Sequence, residues 1–495
     1  MEPLTAAGLL PGPENGPESG AENGPESREE NALLGTPGPV SPGTFKPVVA
    51  RLLLHRLETE CAAYCMLTGY DELPDNFDTD IDFMVGRKDF ERVPGMLAEI
   101  ARDTGSRLFQ VIPHEVSGRA YLLTLESGTK VSLVQPDSAS DYRHFGRLWL
   151  RAEEILAERR WHPRGFWIPG ASHEFTYYLI KRLNKRELTK EQGSRLARLY
   201  AEAPEKADAL LGRFFGKTSA QRLIAMAADG RWEALIQNME AFRSELRRHS
   251  AENLPQTVRS SALRLQHASD RILRPTGGWI AFMGPDGCGK SSVIEAVSTE
   301  FAPAYRGVLR FHMRPNFLKV RAGERAPVVD PHGKPPRGFF MSIVKGIYMA
   351  SDYFAGYLAR IRPAMMRTHL VISDRYFYDI LVDSKRIRYG GPGWLLRLIG
   401  RIIPKPELTL LLNAPPEVLW SRKQEVPFEE VVRQQKAYLE LAGRLKSVVV
   451  IDAAQPLETV IQQSVAAIIA HFSQRTMCRL GVPLRLGAPT DSERG

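Results

Sequence analysis

Apolar residues follow three spacing regimes along the chain. From residue 46, Val49, Leu53, Leu57 and Tyr64 recur at helical intervals. Residues 64–67 and 79–85 then read as short strands, with Pro74-Asp75-Asn76 making the turn between them. A helix over 88–102 and a hairpin of 121–125 with 130–134 across Ser127-Gly128 complete a small α+β unit, residues 46–170. Residues 171–275 are helical in period. Phe175, Tyr178, Leu179 and Leu183 keep the spacing closely; 192–201, 207–215 and 232–246 keep it more loosely, and 250–276 reads as a linker. From 276 to 472 the pattern changes again. Apolar runs of strand length at 279–283, 308–313, 370–373, 408–412 and 448–451 alternate with helical stretches, beginning with 291–301. That alternation predicts an α/β domain, a doubly wound parallel sheet covered on both faces. Residues 473–495 lose the pattern and read as a loose tail.

Composition adds a front segment. Residues 1–45 hold eight Pro, eight Gly and one aromatic, Phe45, and repeat Glu-Asn-Gly-Pro-Glu-Ser at 14–19 and 22–27. Too little apolar surface is present to offset ordering entropy, so a disordered tail is expected. Seven Glu and one Arg give this tail a charge of −6, so the remaining 450 residues carry +15 of the net +9. A basic body favours an anionic partner: phosphate, nucleotide, nucleic acid or lipid headgroup. No apolar run reaches the ~18 residues of a membrane span. Four cysteines make no disulfide framework, and the N-terminus lacks a signal-peptide pattern. A cytoplasmic location is therefore expected.

The chemistry concentrates in residues 284–292. Gly284-Pro285-Asp286-Gly287-Cys288-Gly289-Lys290-Ser291 fits the G-x-x-x-x-G-K-[ST] phosphate-binding loop, framed by an apolar strand before and a helix beginning Ser292-Val293-Ile294 after. Glycines let successive N–H groups curl toward phosphate oxygens, and the helix adds its positive end. Lys290 is expected on the outer phosphates of ATP, Ser291 on Mg²⁺, and Cys288 as a small filler. Asp374-Arg375-Tyr376 directly follows the run 370–373. A carboxylate at the C-terminal end of a parallel strand sits where such sheets bind ligands, so Asp374 is a second metal candidate and Arg375 a fork for a phosphate.

These motifs resemble the thymidylate kinase family over about residues 277–472. Gly284 to Ser292 looks like its G-x-D-G-x-G-K-S/T-T loop, and Asp374-Arg375-Tyr376 like its D-R-Y/F/H element. Residues 406–412 with Pro415-Pro416-Glu417-Val418, and Ile451-Asp452-Ala453 with Gln455 and Val460, resemble its later elements. The resemblance implies a mobile lid at 421–427, where Arg422 would stabilise the migrating phosphoryl group, and it places Asp286 toward the acceptor. Arg314 is a further charge-neutralising candidate. The acceptor half departs from the family. Ser351-Asp352-Tyr353 stands where an alanine-aspartate-arginine stretch is usual, Arg314-Pro315 replaces an arginine-glutamate-proline turn, and Asp379 replaces a serine. Residues 310–340 form a Pro-rich basic insertion. Thymidine monophosphate is accordingly expected to be a poor substrate.

Asp80-Ile81-Asp82 places two carboxylates on one face of a strand, a spacing that can hold Mg²⁺. With Leu67-Thr68-Gly69-Tyr70 before it, residues 47–140 resemble the minimal nucleotidyltransferase fold. Tyr70 replaces a small residue, and only Asp137, beyond the strand 131–135, offers a third carboxylate. Cys61 and Cys65 read as buried residues, His312 as a residue that could line the kinase cleft, and Lys181-Arg182 with Lys185-Arg186 as a solvated basic face, with contact to nucleic acid or a membrane surface as the lesser alternative. The expectation is an ATP- and Mg²⁺-dependent kinase acting on a small-molecule, nucleotide or glycan-precursor acceptor that offers an anionic group or a hydroxyl. A nucleoside monophosphate kinase of ordinary specificity and an ATP-gated scaffold are the alternatives. A dimer is compatible with the sequence.

Overall fold

Phe45, Val49, Ala50, Leu53 and Leu57 are all buried on one face of the first helix, α1 (Pro42–Glu60), and that face fixes it against a five-stranded sheet. The computed structural model describes residues 40–229, 231–249, 254–318, 335–424 and 426–481. The expected acidic tail therefore lies outside the described residues up to residue 39, as do most of the basic insertion and residues 482–495.

The front sheet comprises β1 (Tyr64–Thr68), β2 (Asp80–Val85), β3 (Arg107–Glu115), β4 (Gly118–Ser127) and β5 (Lys130–Ala139), in the order β1-β2-β5-β4-β3. Its β2 and β5 are parallel neighbours, and the other pairs are antiparallel. Between β2 and β3 lie α2 (Arg87–Phe90) and α3 (Val93–Asp103). The single helix expected there is broken at Glu91–Arg92, and Pro94, which lacks an N–H, sits in the first turn of the new helix. Tyr64, expected on the α1 face, opens β1 instead. Two short hairpins follow, β6 (Asp141–His144) with β7 (Arg147–Arg151) and β8 (Arg160–His162) with β9 (Phe166–Ile168), separated by α4 (Ala152–Ala157).

Seven helices come next: α5 (Ala171–Lys185), α6 (Lys190–Glu202), α7 (Pro204–Leu211), α8 (Lys217–Ala228), α9 (Trp232–Gln237), α10 (Met239–His249) and α11 (Leu254–Leu273). The expected linker is thus mostly a 20-residue helix. A second sheet, entirely parallel, has the order β11-β12-β10-β13-β14. Its strands are β10 (Gly278–Met283), β11 (Gly307–His312), β12 (His369–Asp374), β13 (Leu408–Asn413) and β14 (Val448–Asp452), all within a residue or two of the apolar runs. The connecting helices are α12 (Lys290–Phe301), α13 (Phe339–Gly356), α14 (Arg362–Met366), α15 (Phe377–Val382), α16 (Gly393–Ile402), α17 (Pro416–Arg422) and α18 (Phe428–Ala442), and α19 (Leu457–Leu480) closes the fold. Mixed α/β architecture with a parallel sheet is therefore what the alternation encodes. No helix among the described residues is long and apolar enough to cross a membrane.

Strand alternation assigns each face. In β10 every residue is buried. Ile280 and Phe282 face the α12/α19 layer, while Trp279, Ala281 and Met283 face α13–α16. In the front sheet, Tyr121 and Leu123 of β4 pack with α1 and α3, whereas Leu122, with Phe109 and Leu133, packs into the core of the second sheet. Phe109 stacks on Phe301 and meets Tyr305 and Phe472 edge-on, with ring centroids 5.6, 6.1 and 5.8 Å apart. Polar contacts reinforce the junction: Gln110 donates to the Thr276 carbonyl (2.6 Å), Thr476 to the Phe109 carbonyl (2.8 Å), and Lys130 pairs with Glu300 (2.7 Å). For this reason α19 does not stop near residue 472, where a tail was expected. Thr476 is buried, and Met477 and Leu480 pack on the α1 core. The described residues, from 40 to 481, cluster as one body.

Because Phe109 fills a pocket made by the second sheet's helices, Phe109→Ala should cost roughly 3–5 kcal/mol. Denaturant unfolding followed at both halves should show one transition moving to lower denaturant. A change confined to the front half would mean that the two cores are independent.

Candidate active site

The loop after β10 is shaped by three glycines. Gly284 has φ +140°, and a Cβ there would lie 2.2 Å from the Leu412 carbonyl oxygen, so a side chain cannot be accommodated where the loop leaves between β10 and β13. Gly287 and Gly289 take φ +85° and +84°, which L-residues rarely adopt. The chain then enters α12 at Lys290. The Lys290 ammonium is buried and donates to the carbonyls of Gly284 (2.9 Å) and Pro285 (2.7 Å). Cys288, 2% exposed, packs in the α12 core, with its Sγ 3.4 Å from the Lys290 nitrogen.

Parallel register aligns Phe282 of β10 and His312 of β11 with Asp374, the last residue of β12. The three strand ends open on a cavity of about 370 Å³ lined by Asp286, Lys290, Ser291, Asp374, Arg375 and Arg386, with Gly287, Gly289, Ser292, His312 and Lys423 completing it. Pro285 is not part of its lining; its carbonyl accepts from Lys290. Asp374 has His312 Nδ1 3.2 Å from its Oδ2. Burial works against its ionisation, yet the His312 hydrogen bond and the charges of His312, Arg375 and Lys290 hold its pKa below the ordinary value.

Arg375 organises the site. It is 4% exposed and sits at φ +70°, a backbone conformation costly for a residue with a Cβ. Its own N–H is anchored on the Phe282 carbonyl (2.9 Å). The guanidinium donates to Asp379 (3.0 Å), which also accepts from the Tyr438 hydroxyl (2.5 Å) and the Tyr376 N–H (3.0 Å). Its other nitrogen donates to Asp286, whose second oxygen takes Arg386. One loop carboxylate is thus clamped between two arginines. Burial opposes the charge on Asp286, but Arg375 and Arg386 hold its pKa far below the carboxylate range.

Other expected residues stand elsewhere. Arg314 lies over the Tyr348 ring, 5.3 Å from its centroid, rather than in the cavity wall. Arg422 donates to the Ala453 carbonyl (2.8 Å), and its neighbour Lys423 lines the cavity instead. Tyr353 is buried among the rings of Tyr376 and Phe377, with its hydroxyl on the Met313 carbonyl. Asp352 is fully buried and accepts the N–H groups of Asn316 (3.2 Å) and Leu318 (2.8 Å), fixing the start of the insertion on α13. Arg386 escaped the sequence reading because it lies in no spaced motif, while Lys423 was expected only as a member of the lid stretch 421–427 beside Arg422. Asp379 was visible only as a departure, and nothing in the sequence links Tyr438 to it.

Ser291 and Asp374 offer hard oxygen donors in one cavity with room for water, the setting that suits Mg²⁺. The front carboxylates differ. Strand β5 extends past Asp137, which stands beside Asp82 in the parallel register, so a third carboxylate does join the pair. However, Lys181 of α5 reaches Asp82 (3.4 Å), and Thr68 also donates to it. Burial opposes the Lys181 charge, while Tyr177, Asp82 and Asp137 raise its pKa. Asp80 has its pKa raised by burial and by Asp82 and Asp137. No metal-ligating group of three converges among the described residues. A lysine occupies the compensating position beside Asp80 and Asp82, and these residues do not fit a metal site. Tyr70 turns away into the helices, where its hydroxyl meets both oxygens of buried Glu174 (2.8 and 2.7 Å).

No protein-family model matches the chain. The thymidylate kinase of Lacticaseibacillus casei is 24% identical over 214 residues, 40% of this chain and 98% of that protein. That of Limosilactobacillus fermentum is 27% identical over 220 residues, 40% of this chain and 97% of its own. That of Latilactobacillus sakei is 29% identical over 217 residues, 39% and 94% respectively. Among solved structures, the thymidylate kinase of Ehrlichia chaffeensis aligns with 39% of this chain and 98% of its own at 14% identity and a TM-score of 0.28. Over about 40% of its length, the chain is similar in sequence to thymidylate kinases.

Proposed function

We propose that the protein is an ATP-dependent kinase whose acceptor is a small anionic metabolite other than thymidine monophosphate. The observation that carries this reading is the convergence of the glycine loop, Lys290, Asp374, Arg375 and Arg386 on one cavity at the strand ends. Loop amides and Lys290 would hold the outer phosphates, the ammonium exchanging its carbonyl partners for phosphate oxygens. Ser291 and Asp374 would hold Mg²⁺, which when bound supplies charge neutralisation between those phosphates. The γ-phosphorus exchanges its bond to the bridging oxygen for one to an acceptor oxygen, and ADP leaves with the electron pair. Arg375 and Arg386 offset the charge that spreads over the transferring group. Asp286 keeps both arginines oriented until an anion competes for them. Arg422 would join only after releasing Ala453. For the front half we propose recognition rather than nucleotidyl transfer, because Lys181 already neutralises Asp82.

Similarity to thymidylate kinases favours ordinary specificity as a second reading. Against it stands Tyr353, whose buried ring and bonded hydroxyl leave no arginine at that point of the acceptor wall.

Labelled ATP incubated with a metabolite extract should give a labelled product distinct from inorganic phosphate, and label released only as inorganic phosphate would sink the kinase reading. Lys290→Ala should lower turnover by about 10²–10³-fold with the fold kept. Asp286→Asn should release one nitrogen each of Arg375 and Arg386, which keep Asp379 and Asp383, and tighten inorganic phosphate binding on the order of tenfold, by calorimetry; unchanged affinity would show that the carboxylate does not compete. The same substitution should blunt acid sensitivity. A carboxylate with a depressed folded pKa stabilises fully above the ordinary carboxylate range, and that stabilisation is lost as pH falls through the folded value. Thymidine monophosphate should be turned over poorly. Tyr353→Arg should not improve it and should destabilise by roughly 3–5 kcal/mol, because it buries an unpaired charge; efficient turnover by the unaltered protein would promote the second reading.

A further inference from the structure

Four cationic side chains are brought together at α13: Lys345 donates to the Ile387 carbonyl, the next residue Arg388 accepts the Arg337 N–H on its carbonyl, and Arg314 lies over the ring of Tyr348, one turn along from Lys345. Among the described residues none of them forms an ion pair with a carboxylate. Their described partners are neutral. Lys345 donates to the Ile387 carbonyl, Arg388 to the Pro335 carbonyl (3.1 Å), and Arg314 lies over a tyrosine ring. Among the described residues these four like charges have no counter-ion, so they repel one another, and an anionic ligand would relieve that repulsion.

The backbone that presents them is tightly fixed. The Arg337 N–H bonds the Arg388 carbonyl (3.0 Å), and the Ser342 hydroxyl ties the Arg337 carbonyl (3.2 Å) to the Gly390 N–H (2.9 Å). A Cβ on Gly390 would lie 2.5 Å from the Arg337 carbonyl oxygen, so the two segments can cross only at a glycine. Arg388 itself is held at φ +54°, a conformation that favours glycine or asparagine. This basic residue is thus kept in a strained position next to three others. The cluster also adjoins the phosphate cavity. Arg386, in the cavity wall, and Arg388, in the cluster, are two residues apart, at most about 7–8 Å along the chain.

We propose that Arg314, Arg337, Lys345 and Arg388 form a second anion subsite, which takes a phosphate group carried by the acceptor at a distance from the reacting oxygen. The word acceptor rests on the kinase reading, whereas the anion site stands without it. Burial first, and then Arg337, Arg314 and Arg388, push the Lys345 amine down to about 8.

Competitive acetylation of the full chain tests this without turnover. Lys345 acetylation is followed by peptide mass spectrometry relative to exposed Lys88, with and without inorganic phosphate at matched ionic strength. Phosphate at about ten times its dissociation constant leaves about a tenth of sites empty, so acetylation of Lys345 should slow about tenfold. That protection should survive Lys290→Ala and be lost in Arg388→Met and, independently, in Arg337→Met. A Lys345 rate indifferent to phosphate would overturn the proposal. So would protection that disappears with Lys290→Ala, because the anion would then act from the loop. Absence of kinase turnover with protection intact would sink only the kinase reading.

Discussion

The site depends on one buried guanidinium. Arg375 lies at the end of a central parallel strand with almost no exposure, and a cation there is tolerable only because Asp379 and Asp286 share its charge. Breaking such a pair from one side typically costs several kcal/mol, since the surviving charge stays buried. Much else follows from that constraint. Asp379 must be where a serine would be too short to reach, and Tyr438 must hydrogen-bond the same carboxylate. The glycine loop must bring Asp286 across to meet two arginines. The loop, the strand end and α18 are therefore fixed relative to one another by charge satisfaction as well as by packing.

A similar economy marks the front half. The parallel β2/β5 register sets Asp82 beside Asp137, and a single lysine from α5 pairs with Asp82. Two helical turns earlier on the same helix, Glu174 receives the Tyr70 hydroxyl and Arg195 (2.6 Å). One helix thus satisfies both the acidic strand and the glycine turn that precedes it.

The second sheet was legible because its central strands are apolar on both faces, which leaves an uninterrupted signal at Gly278–Met283 or Leu408–Asn413. The phosphate loop was legible because its glycines are demanded by backbone geometry. Strand β3 was missed because Pro113, His114 and Glu115 break its alternation on a partly exposed edge. The last turns of α19 were missed because Thr476, Met477 and Leu480 pack on residues some four hundred positions earlier, which no local period reports. Arg386 and Arg388 were invisible because the four-residue helical turn Ser384–Ile387 and its cap give single side chains their direction without any repeat. Asp137 was placed beyond the strand 131–135, whereas Pro136 pairs with Ile81 across the ladder and the pairing continues to Ala139.

The junction at Phe109 bears on how such a chain could be assembled by recombination. A free-standing kinase spliced in at residue 276 would bring a final helix with a polar outer face, and Phe109, Leu122 and Leu133 would lose their cover. The front sheet would then present an apolar surface to solvent. The two halves consequently form a matched pair: a substitution in α12 or α19 bears on residues in β3, β4 and β5, and the boundary suggested by the change in sequence period is sealed by side chains.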